Sequence, residues 1–317
     1  MKELKLGKNE ANLRFDKYLK KVLKEAPNSF IYKMLRKKNI TLNGKKADGT
    51  EKTAEGDVVK FFLSDETFDK MSGNTSNDMP FMELDYKPYI EVLYEDEDVL
   101  FLNKPQGLLT QSDDSGDKCL NDYLLAYLFQ TGKLSKEQYS TFHPSVSNRL
   151  DRNTSGIVLC GKSLKGSQDN ARILKDRTLE KHYIALVKGI AKKEYIKGYL
   201  FKDESSNKVY ISKEPKDNYL PIETEYEPIE TYKDATLLDI HLITGRTHQI
   251  RAHLASNNHP LIGDYKYGDK KVNDIYKSNV KIKYQLLHSR MMKIGDLKVE
   301  APMPDNFKRA IEFAKEN

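Results

Sequence analysis

The alternation of apolar and polar positions predicts a small module at the start of the chain. Apolar residues recur at helical spacing over residues 15–23 and again over 31–35, on either side of a Pro-Asn-Ser break. Residues 40–45 are typical of a strand that enters an Asn-Gly turn, and residues 58–63 are typical of a closing strand. We therefore expect a first domain over residues 1–63, with two helices and a short sheet.

The residues that follow this module are polar and carry no apolar periodicity. The stretch 64–80 is rich in Ser, Asn and Asp, and apolar patterning resumes near residue 88. Such a composition is typical of a mobile linker. We expect a linker over residues 64–87 and a second domain over residues 88–317.

The second domain shows strand and helix patterns in mixed order. Apolar runs predict strands at residues 91–94, 99–102, 184–187 and 236–242, and a buried helix near residues 120–129. Strands and helices do not alternate regularly, which argues against a doubly wound parallel sheet. The predicted fold class is α+β, with a small N-terminal domain and a larger domain built on a mixed, mainly antiparallel sheet.

The charge of the chain is concentrated in the first module. The whole sequence of 317 residues carries a formal net charge of +6, with 38% hydrophobic residues, enough for packed cores. Residues 14–46 contain eleven basic and two acidic residues. A solvated lysine face and a binding surface for phosphates both fit such a cluster. We favour phosphate binding, because three cations end the second helix directly before a hairpin; the predicted RNA contacts are Arg14, Lys17, Arg36, Lys37 and Lys38.

Several classes of protein are disfavoured by what the sequence lacks. No apolar run approaches the ~18 residues that would span a bilayer, and Met1–Leu6 lacks the apolar segment of a secretory signal. Cys119 and Cys160 cannot form a disulfide framework, and neither belongs to a C-x-x-C pair. We therefore expect a cytoplasmic protein without a membrane span or a metal site.

A dense polar loop precedes a strongly apolar strand in the middle of the second domain. Residues 148–156 have the sequence NRLDRNTSG and run into Ile-Val-Leu-Cys. Loops held by a rigid strand often carry catalytic groups. Asp151 could equally be structural, by pairing with a neighbouring arginine or accepting backbone N–H groups. These residues alone leave both interpretations open.

A second segment, residues 241–254, combines a strand, a turn and a helix. The pattern predicts a turn at Gly245 and a helix capped by Thr247, with Ile250 facing the core. His248 and Arg251 lie three residues apart and would share another face. A metal site is a weaker interpretation, because the two helical histidines are five residues apart.

These segments together resemble the RluA-type pseudouridine synthase family. The resemblance rests on motifs that occur in the family's order along the chain: Asn103–Leu108, Arg149–Asp151 with Thr154–Gly156, Lys181–Tyr183, Gly245–Arg251, Pro260–Asp264 with Tyr267–Gly268, and Leu287–His288. Residues 14–63 separately resemble the S4 RNA-binding domain in pattern and order. Nearly the whole chain is covered, and the arrangement is similar to that of family members that act on large-subunit ribosomal RNA.

The family resemblance implies an isomerase that converts uridine in RNA to pseudouridine without a cofactor. Asp151 matches the family's essential aspartate, which acts as a nucleophile or supports a glycal-type intermediate. Burial disfavours a charged carboxylate, so a cation must lie beside it. Arg251 matches the arginine that the family pairs with this aspartate, although phosphate binding would also explain an arginine here.

The resemblance assigns further roles around this pair. Arg149 would fill the space left by the flipped base, and Tyr183 matches the active-site tyrosine, whose ring can stack on the base. Lys104 and Arg246 are candidates for RNA contact or loop support. Many family members have histidine where this chain has Asn148. If that position only shapes the loop, the asparagine can form the hydrogen bond instead.

The expected partner is ribosomal RNA, most specifically the large-subunit (23S) RNA, and we expect a monomer because no long apolar stripe suggests a dimer.

Two other functions stay open at this point. A non-catalytic RNA-binding factor would use the first domain as its working surface. An N-glycoside hydrolase would release free uracil, and it would need a second carboxylate to handle water.

Overall fold

The computed structural model describes residues 1–73 and 79–317. Its strands are β1 (Lys2–Lys5), β2 (Ile40–Leu42), β3 (Lys45–Lys46), β4 (Val58–Phe61), β5 (Glu91–Glu95), β6 (Val99–Lys104), β7 (Ser145–Val146), β8 (Ser155–Gly161), β9 (Glu180–Lys188), β10 (Glu194–Asp203), β11 (Lys208–Ser212), β12 (Leu220–Thr231), β13 (Ala235–Leu242), β14 (Leu287–Ile294) and β15 (Leu297–Glu300). Its α-helices are α1 (Phe15–Val22), α2 (Asn28–Arg36), α3 (Asp65–Ser72), α4 (Leu120–Gln130), α5 (Lys136–Thr141), α6 (Leu164–Lys175), α7 (Gln249–Ser256), α8 (Lys270–Val280) and α9 (Asp305–Glu316).

The chain forms two compact units. The first contains Met1–Tyr86, Tyr123–Ser145 and Gly161–Ser167, and the second contains Lys87–Asp122, Val146–Cys160 and Gln168–Asn317. The first unit thus includes segments from the middle of the chain. The division into compact units does not show which segments fold independently. The domain boundaries at residues 63 and 88 therefore stay a prediction.

The first unit contains a four-stranded sheet with the strand order β1-β4-β2-β3. Helices α1 and α2 bury their apolar faces, including Phe15, Leu19 and Ile31, in one core with β2 and β4. The β2–β3 hairpin turns at Asn43 and Gly44, whose φ angles of 50° and 72° suit the two-residue turn that Asn-Gly favours. The predicted helices and strands of this module are confirmed.

Helix α3 lies where the sequence indicated an unstructured linker. The Ser64 side chain accepts a hydrogen bond from the Thr67 N–H and so caps the helix. Phe68 is 3% exposed, and its ring meets Phe61 edge-on at 5.1 Å. The Ser64 cap and the packing of Phe68 and of the partly buried Met71 stabilise this helix, whose few apolar residues give no clear period. The linker prediction is wrong for Asp65–Ser72, and its residues 74–78 lie outside the described residues.

The second unit is built on a large sheet with the strand order β11-β10-β12-β13-β9-β14-β8-β6-β5. Strands β8 and β14 pair in parallel, whereas β5–β6, β9–β13, β9–β14, β10–β11, β10–β12, β12–β13 and β14–β15 pair antiparallel. The predicted α+β class with a mainly antiparallel sheet is confirmed. On β9, Ile184 and Leu186 face a core with α8 and α9, and the alternation along the strand places Tyr183 on the opposite face.

The parallel pair of β8 and β14 requires glycine at position 156, where the two backbones approach each other closely. Gly156 has φ of +110°, a region that residues with a side chain rarely adopt. A Cβ built there would lie 2.6 Å from the backbone nitrogen of Ser289 and closer still to its carbonyl oxygen. The backbones of β8 and β14 therefore approach each other through the space that a side chain would fill, directly after the polar loop 148–154.

We predict that Gly156→Ala lowers the free energy of unfolding by about 3 kcal/mol or more, because backbone atoms must move to admit the methyl group. Gly116→Ala is the matched control: its φ is also positive, at +75°, but nothing lies within 4 Å of the added Cβ. The control should lose only about 1 kcal/mol. Urea denaturation measures both variants, and equal losses would show that the close approach does not matter.

Candidate active site

Three distant segments of the second unit meet at one cleft. The loop before β8 contributes Arg149 and Asp151, strand β9 contributes Tyr183, and the turn and first residues of α7 contribute His248 and Arg251. The other residues that line the cleft are Leu150, Thr154, Leu242, Gly245, Arg246, Gln249, Ile250 and Leu287. The structure thus brings together all four residues that the sequence assigned to catalysis.

Arg251 lies between two carboxylates. Its Nη1 donates to Asp151 Oδ2 at 2.8 Å, while its Nε and Nη2 donate to Asp264 Oδ2 and Oδ1 at 2.7 and 3.0 Å. The side chain of Asp264 is 1% exposed and that of Asp151 is 23% exposed. Asp264 therefore fixes the guanidinium from behind, and Asp151 receives the remaining donor at the cleft.

The protonation states of the buried pair follow from this geometry. Burial favours neutral Asp264, but the hydrogen bonds and charge of Arg251, together with the N–H groups of Lys266 and Tyr267, hold the pKa of Asp264 below its ordinary value. Burial works against the charged form of Arg251 as well, and the two carboxylates outweigh it and raise its pKa. Both groups are therefore charged at neutral pH.

The loop that carries Asp151 is held by buried hydrogen bonds. Lys104 is fully buried, and its ammonium donates to the carbonyl oxygens of Pro105, Leu108 and Arg152 at 3.0, 2.7 and 3.0 Å. Burial lowers the pKa of Lys104 to about 7, opposed by the charge of Asp151. Of the two roles considered for Lys104, this burial supports loop support and opposes direct contact with RNA.

Asn148 stabilises the same loop from its other end. Its side-chain oxygen accepts a hydrogen bond from the Leu159 N–H at 2.7 Å. This contact ties the start of the loop to the strand that follows it. The asparagine found in place of the usual histidine therefore shapes the loop in this chain.

The turn before α7 differs from the prediction in one respect. The helix begins at Gln249 with His248 in the capping position, so the expectation of a Thr247 cap is wrong. The Gln249 side-chain oxygen instead accepts from the Thr244 hydroxyl and the Arg246 N–H, at 2.9 and 3.1 Å. A buried glutamine thus stabilises this turn where a threonine cap was expected. Ile250 and Leu254 face the core, as predicted.

The remaining predicted residues fall into two groups. Tyr183 is 5% exposed at the cleft, and burial raises its pKa to about 12, so its hydroxyl is protonated at neutral pH. Arg149 and Arg246 are exposed at the same cleft.

The predicted RNA contacts of the first unit are exposed as well: Arg14, Lys17, Arg36, Lys37 and Lys38. Arg14 and Lys17 line a separate cleft of about 230 Å³ with Asp16 and Tyr32.

Three residues at the site received no role from the sequence. Asp264, His248 and Tyr267 all occur in motifs that contributed to the family resemblance. Their side chains meet only in the folded chain, where the loop after β13 and the loop before α8 come together. A polar residue that ends an apolar run, such as Asp264 after Pro-Leu-Ile-Gly, was the available signal.

Neither a group of metal ligands nor a membrane-spanning helix is seen in the part of the chain that the structure describes, residues 1–73 and 79–317. Within it, three or more His, Cys, Asp or Glu residues never group in a way that could hold a metal ion. The helices of these same ranges are all too short or too polar to cross a membrane.

Comparisons with known proteins identify the family of the chain. A family model described as RNA pseudouridylate synthase matches residues 98–256. The chain is 30% identical to ribosomal large subunit pseudouridine synthase C of Vibrio vulnificus, over 95% of this chain and 90% of that protein. The chain belongs to the RNA pseudouridylate synthase family. This synthase is therefore an isomerase that acts on RNA, and the resemblance seen in its motifs is confirmed.

Other relatives and solved structures extend the comparison. The synthase is 29% identical to ribosomal large subunit pseudouridine synthase C of Salmonella typhi, over 99% of this chain and 97% of that protein. Human RNA pseudouridylate synthase domain containing 4 has a similar structure, with a TM-score of 0.58 and 18% identity over 72% of this chain and 93% of that chain. Human RNA pseudouridylate synthase domain containing 1 also has a similar structure, with a TM-score of 0.54 and 22% identity over 69% of this chain and 84% of that chain. These two structures share the fold.

We predict that Asp264→Asn lowers the free energy of unfolding by about 3 kcal/mol at pH 7, because a buried arginine loses one of its two charged partners. The carboxylate has a lowered pKa in the folded protein, so its contribution is present above about pH 4 and is lost as pH falls below that value. Urea denaturation between pH 7 and pH 3 should show the gap between wild type and variant narrowing at low pH. A gap that stays constant over this range would contradict the ion pair.

Proposed function

We propose that this synthase isomerises uridine to pseudouridine in large-subunit ribosomal RNA, with Asp151 as its essential carboxylate and without a cofactor. The observation that carries the proposal is the position of Asp151 at a cleft, with Arg251 bound to one of its oxygens. The choice of RNA is supported by the names of two full-length relatives, which are ribosomal large subunit pseudouridine synthases.

The reaction is an internal rearrangement and needs no oxidant. The bond from N1 of the uracil to the ribose C1′ breaks, the base turns over, and C5 bonds to C1′ while the C5 proton leaves and N1 gains a proton. Arg251 holds Oδ2 of Asp151, which directs Oδ1 to the substrate. That oxygen attacks C1′ or removes the C2′ proton to form a glycal, and both routes require an ionised carboxylate.

The residues around Asp151 bind and orient the flipped nucleotide. Tyr183 offers a ring for stacking and a protonated hydroxyl that donates a hydrogen bond to the base. Arg149 is exposed at the mouth of the cleft, where a planar guanidinium can occupy the space that the flipped base leaves in the helix. Arg246 is exposed at the same cleft and can contact a phosphate.

A hydrolase would need a second carboxylate to activate water. One candidate is Asp264, which shares Arg251 with Asp151, but its two oxygens accept hydrogen bonds from Arg251 and its side chain is 1% exposed. Asp264 therefore cannot reach a water beside the sugar. This arrangement favours isomerisation over release of free uracil.

The first unit supplies a basic surface for the same RNA. Arg36, Lys37 and Lys38 are exposed together at the end of α2, directly before β2. Clustered cations release counterions from the phosphate backbone when they bind. This surface supports the proposal that residues 1–63 act as an S4-like RNA-binding domain. A monomer in the cytoplasm stays a prediction.

We predict that Asp151→Asn lowers the rate of pseudouridine formation by a factor of about 10³ or more, because the amide cannot act as a nucleophile or a base. Thermal unfolding should show a folded variant, and binding of ribosomal RNA should be retained. Asp113→Asn, which changes a carboxylate in an exposed turn, is the control and should keep full activity.

Product analysis separates this function from its two rivals. Chromatography of nuclease digests detects pseudouridine, and the supernatant is assayed for free uracil. Free uracil would identify a hydrolase, and RNA binding without either product would identify a non-catalytic factor. Full activity of Asp151→Asn would refute the proposed role of this carboxylate.

A second prediction concerns the basic surface. Replacing Arg36, Lys37 and Lys38 with glutamine should weaken RNA binding and reduce the slope of log K against log salt by about 2 to 3, because three phosphate contacts are lost. The control replaces three exposed lysines of the second unit, Lys192, Lys213 and Lys233, and should change the slope by less. A filter-binding titration from low to high salt measures both variants. An unchanged slope in the first variant would show that this surface does not bind RNA.

A further inference from the structure

His248 lies at the candidate active site in a backbone conformation that residues other than glycine adopt infrequently. Its φ of 53° is left-handed, a region in which glycine and asparagine are better accommodated than histidine. Its imidazole is 10% exposed and lines the cleft beside Asp151 and Arg251. Strained backbone that persists at a functional site often serves the function of that site.

The imidazole has a polar partner on each of its two nitrogens. Nδ1 lies 2.9 Å from the hydroxyl of Tyr267, and Nε2 lies 3.9 Å from Oδ2 of Asp151. This second distance exceeds a hydrogen bond by about 1 Å. Catalytic hydrogen bonds are often long before substrate binds and shorten in the complex.

The partners of Tyr267 favour one tautomer of His248. The Val209 N–H donates to the Tyr267 hydroxyl oxygen at 2.9 Å, so this hydroxyl already accepts a hydrogen bond and has its own proton to donate. Donation to Nδ1 of His248 uses that proton. The imidazole is then neutral, and its remaining proton sits on Nε2, which faces Asp151.

The charges around His248 agree with a neutral ring. Burial lowers the pKa of His248; Asp151 and Asp264 oppose this effect, while Arg251 and Lys266 add to it. Tyr267 is the other titratable group in contact with the ring, at 5.6 Å between ring centres, and burial raises its own pKa, so it stays a proton donor. At neutral pH the imidazole therefore presents an N–H, not a full charge, to the carboxylate.

We propose that His248 is a positioning residue for Asp151: when substrate closes the cleft, its Nε2–H donates to Oδ2, which is then held by both Arg251 and His248. Oδ1 is left to face the ribose. The Tyr267 hydroxyl selects the tautomer that makes this possible. The inference rests on the proposed role of Asp151, and it assigns a task to the strained turn that folding alone does not require.

Three variants test this assignment in the full-length chain. His248→Asn keeps a residue that accepts the left-handed conformation but removes the ring, so its melting temperature should be equal to or above that of wild type. Its kcat should fall by about 10- to 100-fold, because Asp151 loses a positioning contact, with little change in KM for RNA. Parallel losses of melting temperature and kcat would instead indicate a structural role.

Tyr267→Phe removes only the hydroxyl, and it tests the tautomer separately. Donation from this hydroxyl selects the neutral ring with its proton on Nε2, so without it the proton can move to Nδ1 and leave a lone pair of Nε2 facing Asp151. We expect kcat to fall by about 3- to 10-fold at neutral pH and to recover relative to wild type as pH falls, because a protonated ring carries an N–H on both nitrogens. Tyr265→Phe is the matched control, at a position two residues from Tyr267. It removes an exposed hydroxyl that donates to Asp274 and should leave the pH profile unchanged.

The outcomes distinguish this inference from the proposed function. If Asp151→Asn is inactive while folded His248→Asn stays within about twofold of wild type in kcat, only the positioning role fails. If Asp151→Asn is active, the proposed function itself fails. If His248→Asn is poorly folded, the pH profile of Tyr267→Phe decides: a loss of kcat at neutral pH that shrinks as pH falls supports the assignment, and a profile equal to that of wild type overturns it.

Discussion

A single arginine, buried between two carboxylates, determines the geometry of this active site. Asp264 accepts two of the hydrogen bonds of Arg251, and Nη1 of Arg251 donates to Asp151. Removal of the buried partner, Asp264, would leave a buried cation poorly compensated, so Asp264 and the helix that carries Arg251 must keep fixed relative positions. The pair therefore serves the fold and the chemistry together: it keeps Asp151 beside a positive charge and fixes which of its oxygens is available.

The loop that carries Asp151 is rigid because the groups that hold it are buried. Lys104 donates to the Arg152 carbonyl of this loop and to the Pro105 and Leu108 carbonyls of the neighbouring turn, and the Thr110 hydroxyl donates to the Leu150 carbonyl at 2.8 Å. At the end of the loop, Gly156 lets β8 pass close to Ser289 of β14. A flexible loop could not keep a carboxylate within the fraction of an ångström that catalysis requires. The scaffold around the loop is thus part of the catalytic arrangement.

Much of the fold and part of the site were predictable from local sequence. Apolar spacing located most of the helices and strands, because burial on one face imposes a period on the residues of each element. It failed at α3, a short polar helix in which Phe68 is buried and Met71 is partly buried, and at the start of α7, where Gln249 replaces the expected cap. In both places, contacts formed only in the folded chain outweighed the local preference: Phe68 packs into the core of the first unit, and the Gln249 side chain donates to the Glu223 carbonyl.

The sequence by itself determined the mixed, mainly antiparallel fold class and the motifs around Asp151, Tyr183 and Arg251, because motif spacing and apolar periodicity are local properties of a chain. Only the tertiary structure decided that Asp264 completes the ion pair, that Lys104 is buried inside the loop, and that His248 faces Asp151. Those relations join residues up to a hundred positions apart. They depend on burial and on the direction of individual N–H and O–H groups, which no sequence period encodes.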